Sequence, residues 1–227
     1  MAKLNPSAAT ANLPFRLLRS VGRGLLGLLF DVRVEGLERV PVTGGYVLAC
    51  NHLSWIDGLI LLARMPASPR IHYLAAVEYS TGGPWVVRQV VRLAGGIIPV
   101  DRQSHKGSRA VVVQSLQVLR GGGVLGIFPE GRCGTEEGFM QPLKDGAALF
   151  ATRTGSPILV VGLSGTLELC FRRRIRLRVG PLVEPRAGET QEELLERLAQ
   201  AMAETVPPLD PDQPKVKLMT WLSRIFG

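Results

Sequence analysis

The stretch YVLACNHLSWIDGLILLARM, residues 46–65, joins an apolar run directly to a helical pattern. The run YVLAC, residues 46–50, is typical of a short strand. Residues 54–65 carry apolar side chains at helical spacing and stop before Pro66, which is a common helix boundary. We therefore predict a strand and a helix here, joined by a short loop that carries Asn51 and His52.

The same alternation recurs along the chain. Short apolar or β-branched runs predict strands at 31–36, 46–50, 71–76, 96–100, 124–128, 157–163 and 174–180. Amphipathic stretches predict helices at 54–65, 84–93, 108–120, 142–153 and 190–205. This order indicates an α/β fold, with a mostly parallel central sheet flanked by helices. In such sheets, binding sites form at the carboxyl ends of the strands.

His52 and Asp57 are two ionisable residues within the first strand–helix connection. Five residues turn an α-helix by roughly 500°, so both side chains could meet only if His52 precedes the helix and Asp57 lies in its first turn. The carboxylate could then fix the imidazole tautomer and leave the other ring nitrogen free as a base. Alternatively, Ser54 and Asp57 form a capping-box-like helix start without any chemistry. The spacing alone leaves both interpretations open.

Composition limits the classes of partner. The chain has 227 residues, a formal net charge of +8, 46% hydrophobic residues and only 6% aromatic residues. Its length fits one domain with a substantial core. Basic segments without interleaved aromatic residues favour an anionic membrane surface over nucleic acid. The three widely spaced cysteines predict a reducing compartment and no zinc site.

Residues 1–30 are predicted to form a membrane-interface segment. Across residues 13–30, one helical face carries arginines and another carries aliphatic residues: Arg16, Arg19 and Arg23 against Leu17, Val21, Leu25 and Leu28. Charges interrupt the run, so we expect no membrane-spanning helix. A signal peptide is the competing interpretation, but no clear cleavage site follows. The GRGLLG match at 22–27 follows no strand, so it does not indicate a dinucleotide site.

Two basic segments near the carboxyl terminus have ordinary structural explanations. Arg174, Arg176 and Arg178 alternate with apolar residues, which predicts an edge or solvent-facing strand rather than a ligand site. The predicted tail at 207–227 contains a short amphipathic stretch at 215–226. That stretch fits either a second membrane-contacting helix or a docked terminal helix.

Four sequence blocks carry a family resemblance. In order, they are NHLSWID (51–57), GGIIPVDR (95–102), GIFPEGR (126–132) and GSPILVVGL (155–163). Together they resemble the blocks of the glycerolipid acyltransferase family, typified by 1-acylglycerol-3-phosphate (lysophosphatidic acid) acyltransferases. The likeness runs from about Val32 to Glu184, which marks 31–206 as the expected acyltransferase domain. Four blocks in sequence are far more specific than any one block.

The resemblance implies transfer of a fatty acyl group from acyl-CoA or acyl carrier protein to a lysophospholipid hydroxyl. It implies that His52 is the general base, that Asp57 orients it, and that the reaction needs no covalent acyl-enzyme, cofactor or metal. It assigns Arg102, Glu130 and Gly131 to glycerol-phosphate binding, with Arg132 as a further candidate. Asn51 and Pro157 are supporting residues. We expect the enzyme to act peripherally at the cytoplasmic face of a membrane.

Several of these residues also have ordinary explanations when taken singly. Arg102 could be a solvated loop residue, Glu130 could cap the turn after Pro129, and Asn51 could be a turn former that bonds its own loop. The oxyanion donors are expected among main-chain N–H groups at the helix start after Asn51.

The third block departs from the family pattern FPEGTRS. Here it reads FPEGRCG, so Arg132 takes the threonine position and Cys133 takes the arginine position. Ala76 stands where the family often has lysine. These changes leave the acceptor open, with a lyso-ornithine lipid as the chief alternative to lysophosphatidic acid. We expect none of the cysteines to have a nucleophile's setting, so that thiol alkylation spares activity.

Two other function classes fit the sequence less well than acyl transfer. An ester hydrolase needs a G-x-S-x-G elbow, and GLSGT at 162–166 lacks the final glycine. A non-catalytic lipid-binding protein would have no chemical need for the pairing of His52 with Asp57.

Overall fold

The computed structural model describes residues 13–76, 96–100, 105–214 and 223. The predicted helix at 84–93, Arg102, and the terminal stretch 215–226 except Ser223 lie outside the described residues. The helices are α1 (Leu13–Leu29), α2 (Asp57–Arg64), α3 (His105–Arg120), α4 (Gly146–Thr154) and α5 (Gln191–Thr205). The strands are β1 (Phe30–Glu35), β2 (Tyr46–Cys50), β3 (Ile71–Ala76), β4 (Ile97–Val100), β5 (Val124–Ile127), β6 (Ile158–Ser164) and β7 (Arg173–Val183).

The strands form one sheet in the order β1-β7-β6-β2-β5-β3-β4. The pairings among β6, β2, β5, β3 and β4 are all parallel. Strand β7 runs antiparallel to β6, and β1 runs parallel to β7. The predicted mostly parallel α/β sheet is therefore confirmed.

Strand β2 lies inside the sheet, and all five of its residues are buried. Successive side chains of a strand point to opposite faces. Accordingly, Tyr46, Leu48 and Cys50 pack into one core with α2, whereas Val47 and Ala49 pack into the other core with α4 and α5. This double burial explains the uninterrupted apolar run and holds the loop after Cys50 at a fixed place.

The alternating arginines lie on β7, which is not an edge strand because β1 pairs with its outer side. This corrects the edge interpretation. Alternate residues such as Ile175 and Leu177 are fully buried. Arg174 and Arg176 each bond one carboxylate oxygen of Asp210, at nitrogen–oxygen distances of 3.2 Å. Asp210, in the segment after α5, thus neutralises two of the alternating arginines. This pairing agrees with a structural rather than a ligand-binding role for these arginines.

Helix α1 presents two different faces. Its inner face buries Phe15 and Leu26, and Arg19 donates hydrogen bonds to main-chain carbonyls at the end of α2, with 2.6 Å from Nε to the Leu62 oxygen. Arg19 also bonds the carbonyl of Met65. Arg19 therefore differs from the other two arginines of the predicted basic face, because the end of α2 uses its guanidinium donors.

The outer face of α1 is an apolar stripe, defined by Leu13, Leu17, Val21, Leu25 and Leu28, whose exposed fractions lie between 54% and 70%. This face agrees with the predicted aliphatic side of the helix. Among the helices of the described ranges, none is both long and apolar enough to cross a membrane.

Candidate active site

The candidate site lies where two neighbouring parallel strands end. Strand β2 ends at Cys50 and β5 ends at Ile127, and these strands pair in parallel. The loops that follow them, 51–56 and 128–134, consequently leave the sheet on the same side, at the carboxyl ends of the two strands. The loop 51–56 carries His52, and the loop 128–134 carries residues of the third sequence block. Both loops follow the carboxyl ends of parallel strands, where binding sites form in such sheets.

His52 and Asp57 are in direct contact. The distance from His52 Nδ1 to Asp57 Oδ2 is 2.9 Å, with the His52 side chain 15% exposed and the Asp57 side chain fully buried. The same oxygen accepts main-chain N–H bonds from Leu53, at 2.7 Å, and Ser54, at 2.8 Å. The carboxylate thus orders the loop and holds the imidazole at once. The contact with the imidazole and the bonds that order the loop are therefore present at the same time.

The predicted Ser54 helix start is wrong by three residues. Helix α2 begins at Asp57, and its N-cap, Ile56, makes no side-chain capping bond. The bond from Ser54 N–H to Asp57 resembles one half of a capping box. It closes a turn before the helix, which places Asp57 at the first helical position with His52 folded back over it.

Glu130 is a buried carboxylate that bonds main-chain groups on two sides. Its Oε1 accepts the N–H of His52 at 2.8 Å, and its Oε2 accepts the N–H of Gln141 at 2.7 Å. Only 3% of Glu130 is exposed. Gly134 N–H donates to the carbonyl of His52. The loop after β5 thereby fixes the main chain of His52 through both its N–H and its C=O, and both Glu130 oxygens are already used within the protein.

Asn51 anchors the His52 loop to the adjacent strand β6. Its side-chain nitrogen donates to the Leu163 carbonyl at 3.0 Å, and its Oδ1 accepts the Leu163 N–H at 2.7 Å. These bonds replace the alternative in which Asn51 bonds its own loop. They agree with a supporting position.

The main-chain N–H groups closest to Asn51 already have partners. The main-chain N–H groups of residues 52–54 bond the carboxylates of Glu130 and Asp57. A buried N–H that is already paired with a carboxylate is not available to a developing oxyanion without losing that bond. The first three N–H groups after Asn51 are thus structural donors.

Phe128 and Cys133 contact His52, and neither contact was predicted. The Phe128 and His52 rings stack with centroids 4.1 Å apart and an interplanar angle of 18°. Cys133 Sγ lies 3.3 Å from His52 Nε2. The expectation that none of the cysteines has a nucleophile's setting is therefore wrong for Cys133. The available sequence signal was its place three residues after Glu130, at a departure from the family pattern.

The contacts of His52 determine its protonation. Burial alone would lower its pKa, but hydrogen bonds to Asp57 and Cys133 outweigh burial and raise the pKa from 6.5 to about 9. Nδ1 faces the carboxylate and Nε2 faces the sulfur. The arrangement can hold a proton on the ring and exchange it at Nε2, which is what acid–base chemistry requires.

The remaining loop residues bring positive charge near the site. Gly131 has a φ of 70°, and a Cβ atom there would lie 2.7 Å from Lys144 Nζ, so the lysine side chain lies against the glycine. Arg132 is exposed, and its guanidinium donates to Gln141 Oε1 at 2.7 Å. Gly131 is therefore suited to a positive-φ turn, and the two cations flank it.

Of the remaining predicted site residues, one lies outside the described residues and one lies away from this cluster. Arg102 lies outside the described residues, two positions after the end of β4. Pro157 precedes β6, and its carbonyl accepts the N–H of Val47 at 2.9 Å. Since Val47 is near the amino end of β2 and His52 follows its carboxyl end, Pro157 lies at the opposite edge of the sheet. Its supporting role is thus in strand pairing and not at the site.

Two proteins of similar sequence carry the same name. The chain is 29% identical over 160 residues to a 1-acyl-sn-glycerol-3-phosphate acyltransferase of Bacillus subtilis, covering 69% of this chain and 75% of that protein. It is 31% identical over 158 residues to the protein of that name from Borreliella burgdorferi, covering 66% of this chain and 61% of the relative.

A solved structure, the 1-acyl-sn-glycerophosphate acyltransferase PlsC of Thermotoga maritima, matches with a TM-score of 0.70 at 21% identity. The match covers 84% of this chain and 77% of that protein, and it confirms the fold. The acyltransferase family model matches residues 31–164, more than half of the chain. The chain therefore belongs to the acyltransferase family.

Proposed function

We propose that this protein transfers a fatty acyl group from a thioester donor, acyl-CoA or acyl carrier protein, to the free hydroxyl of 1-acylglycerol-3-phosphate. The family match and the names of two similar proteins support the reaction class and the acceptor. The observation that carries the proposal is the 2.9 Å contact between His52 Nδ1 and Asp57 Oδ2 at the ends of paired strands. Acyl-CoA and acyl carrier protein are alternative donors, and both present the acyl group as a thioester.

His52 acts as the base for the acceptor. An alcohol attacks a thioester slowly unless its proton leaves as the new bond forms, and a positioned histidine contributes about 10²- to 10⁴-fold to such a step. With Nδ1–H donated to Asp57, Nε2 is the nitrogen that takes the hydroxyl proton. Asn51, Glu130 and Phe128 hold the loop and the ring, so we infer that Glu130 positions His52 rather than binding acceptor.

Positive side chains bind the acceptor phosphate. Arg132 and Lys144 flank Gly131 on the loop after β5, and Arg102 is the family-implied cation after β4. Guanidinium groups fix the direction of a phosphate as well as its charge, which aims the neighbouring hydroxyl. We therefore assign phosphate binding to these cations.

Helix α1 brings the site to its lipid substrate. The apolar stripe of Leu13, Leu17, Val21, Leu25 and Leu28 is exposed, and Arg16 and Arg23 are exposed on the same helix. A helix with such a stripe and adjacent cations lies in the membrane interface. We propose peripheral attachment at the cytoplasmic face, where thioester donors are available.

Thiol release tests the function directly. Purified protein is incubated with acyl-CoA or acyl carrier protein, with and without lysophosphatidic acid in vesicles. Release that depends on acceptor, yields phosphatidic acid, and falls at least about 100-fold in His52→Ala supports transfer. His72→Gln is the matched control, because His72 lies at the amino end of β3, away from the site. Acceptor-independent release would indicate a hydrolase, and vesicle binding without release would indicate a lipid-binding protein.

The departure at Arg132 and Cys133 favours one alternative, transfer to another lysolipid such as a lyso-ornithine lipid. If phosphate is read by this loop, Arg132→Thr should raise the KM for lysophosphatidic acid about tenfold and leave a zwitterionic lysolipid unaffected. Arg120→Thr is the control, because exposed Arg120 precedes β5 at the opposite sheet edge. A preference of the parent for lyso-ornithine lipid would replace the proposed acceptor.

A further inference from the structure

Two arginines converge where helix α1 packs against the end of α2. Arg64 lies in the last turn of α2, and its Nη2 is 3.7 Å from the position that a Cβ atom on Gly27 of α1 would occupy. Arg23 lies four residues before Gly27, so the two positions are neighbours on one face of α1. Because Gly27 has no side chain, the Arg64 guanidinium fits against α1 beside Arg23.

Neither guanidinium group has an anionic partner within the described residues. The ion pairs of those ranges all join other side chains. Nε of Arg64 is buried and has no hydrogen-bond partner there. Buried donors in folded proteins are nearly always paired, so this N–H calls for a partner from outside the described chain.

Helix capping does not account for Arg64. A cation in the last turn of a helix commonly bonds the final carbonyls of that helix. Here Arg19 of α1 takes that place, because its guanidinium donates to the carbonyls of Leu62 and Met65. Arg64 lies against Gly27 instead, so its guanidinium has a different neighbour from the one that capping requires.

The positive charges at this contact repel each other. Burial and then the neighbouring Arg23 lower the pKa of Arg64, and the same two causes lower the pKa of Arg19. Arg172, just before β7, brings another guanidinium, which donates to the Gly27 carbonyl at 3.3 Å. An anion between Arg23 and Arg64 would offset their repulsion and accept the buried N–H at once.

We propose that Arg23 and Arg64 bind the phosphate group of an anionic membrane lipid. Guanidinium groups match the oxygen geometry of a phosphate as well as its charge. A lipid is favoured over a free phosphate because Leu28 directly follows Gly27 and belongs to the exposed apolar stripe of α1. With that stripe among the acyl chains, the two guanidinium groups lie at the level of the lipid phosphates.

Such a site goes beyond the proposed function, because it recognises a head group and takes no part in the reaction at His52. General attraction to an anionic surface depends on charge alone. A phosphate site also depends on the planar, forked geometry of arginine, which lysine lacks. Exchanging arginine for lysine therefore separates the two kinds of binding.

Vesicle co-sedimentation tests the site in the full-length protein without an acyl donor. The vesicles contain equal parts of phosphatidylcholine and phosphatidylglycerol, or phosphatidylcholine alone. Arg64→Lys and Arg23→Lys should each bind the anionic vesicles at least about fivefold more weakly, and should bind the neutral vesicles as the parent does. Arg16→Lys is the matched control, expected within about twofold, because exposed Arg16 lies about 16 Å from Gly27 along α1.

A double-variant cycle tests whether one phosphate bridges both arginines. Arg23→Gln and Arg64→Gln together should weaken binding by clearly less than the product of the two single effects, because both single variants disturb the same contact. Arg16→Gln combined with Arg64→Gln should give the product, since these two arginines share no ligand. Products in both pairs would mean diffuse attraction only and would overturn the site.

Soluble phosphates distinguish the lipid from a free anion. Inorganic phosphate and glycerol phosphate are added at an ionic strength kept constant with sodium chloride, and neither should release the parent from anionic vesicles. Release of the parent, but not of Arg64→Lys, would overturn the lipid as the occupant.

Two further outcomes complete the test. Equal binding by the parent and the lysine variants at positions 23 and 64 would overturn the site. Arg23 is exposed, so Arg23→Lys gives this readout even where thermal unfolding shows that an Arg64 variant is destabilised. Selective binding without any acyl transfer would overturn the proposed function and leave the lipid site standing.

Discussion

The site loops and helix α1 are attached to the same sheet in different ways. In the loops after β2 and β5, buried carboxylates bond main-chain N–H groups, and Asp57 and Glu130 together use those of residues 52–54 and Gln141. Helix α1 docks through Phe15, Leu26 and Arg19 and leaves an entire apolar face exposed. The loops therefore determine the positions of reacting atoms, whereas α1 determines where the molecule sits. Changes in one region should affect chemistry, and changes in the other should affect membrane binding.

The largest effect should come from Asp57→Asn. The amide cannot hold the same imidazole tautomer, so we expect kcat to fall by about 10³- to 10⁴-fold with vesicle binding unchanged. Steady-state kinetics and vesicle co-sedimentation measure the two effects. Ser54→Ala is the control, because it leaves the main-chain N–H of residue 54 in place. A lower melting temperature with full activity in Asp57→Asn would mean that the carboxylate only orders the loop.

Glu130→Gln should have the next largest effect. The amide keeps one acceptor oxygen and places an NH₂ group against a main-chain N–H, so one buried bond is lost at a cost of about 1–3 kcal/mol. Because His52 would move, we expect kcat to fall about 10- to 100-fold with little change in acceptor KM.

Thermal unfolding and kinetics on lysophosphatidic acid distinguish the two roles of Glu130. A rise confined to acceptor KM, with normal stability, would restore the substrate-binding role that the family resemblance implies.

The apolar stripe should give a smaller and different effect. Replacing both Leu17 and Leu25 by serine removes apolar area that would enter the interface, and we expect at least about tenfold weaker binding to anionic vesicles. Turnover of a short-chain, water-soluble lysolipid should stay within about twofold. Leu26→Ala is the contrasting variant, because Leu26 is buried and its truncation should lower stability instead. Equal vesicle binding by parent and double variant would exclude α1 as the membrane contact.

The sequence predicted an element well where its residues have no second role in the site loops. The strand at 46–50 has the predicted bounds, and α5 follows a capping box in which Thr190 and Glu193 exchange side-chain and main-chain bonds. The predicted helix at 142–153 instead begins at Gly146, because the N–H of Lys144 bonds the Pro129 carbonyl and closes the site loop. Helix α2 likewise begins late, because Asp57 holds the N–H groups before it. Hydrogen bonds within the two site loops thus delay the start of both helices.

The contacts across the site could not be read from the sequence. Cys133 is 81 residues from His52, and their contact depends on β2 and β5 being neighbours, which only the sheet order determines. The same pairing brings Glu130 under the main chain of His52. Spacing could predict the contact of His52 with Asp57 because both lie in one connection between a strand and a helix.

The ionisation of His52 tests the central claim most directly, namely that Asp57 and Cys133 hold the two nitrogens of this ring. Its ring resonances can be followed by NMR as a function of pH and assigned with His52→Ala. We expect titration near pH 9 in the parent, because both contacts favour the protonated ring, and a lower pKa in Asp57→Asn and in Cys133→Ala. A parent pKa at or below the ordinary 6.5, unchanged in both variants, would show that Asp57 and Cys133 do not hold the two ring nitrogens.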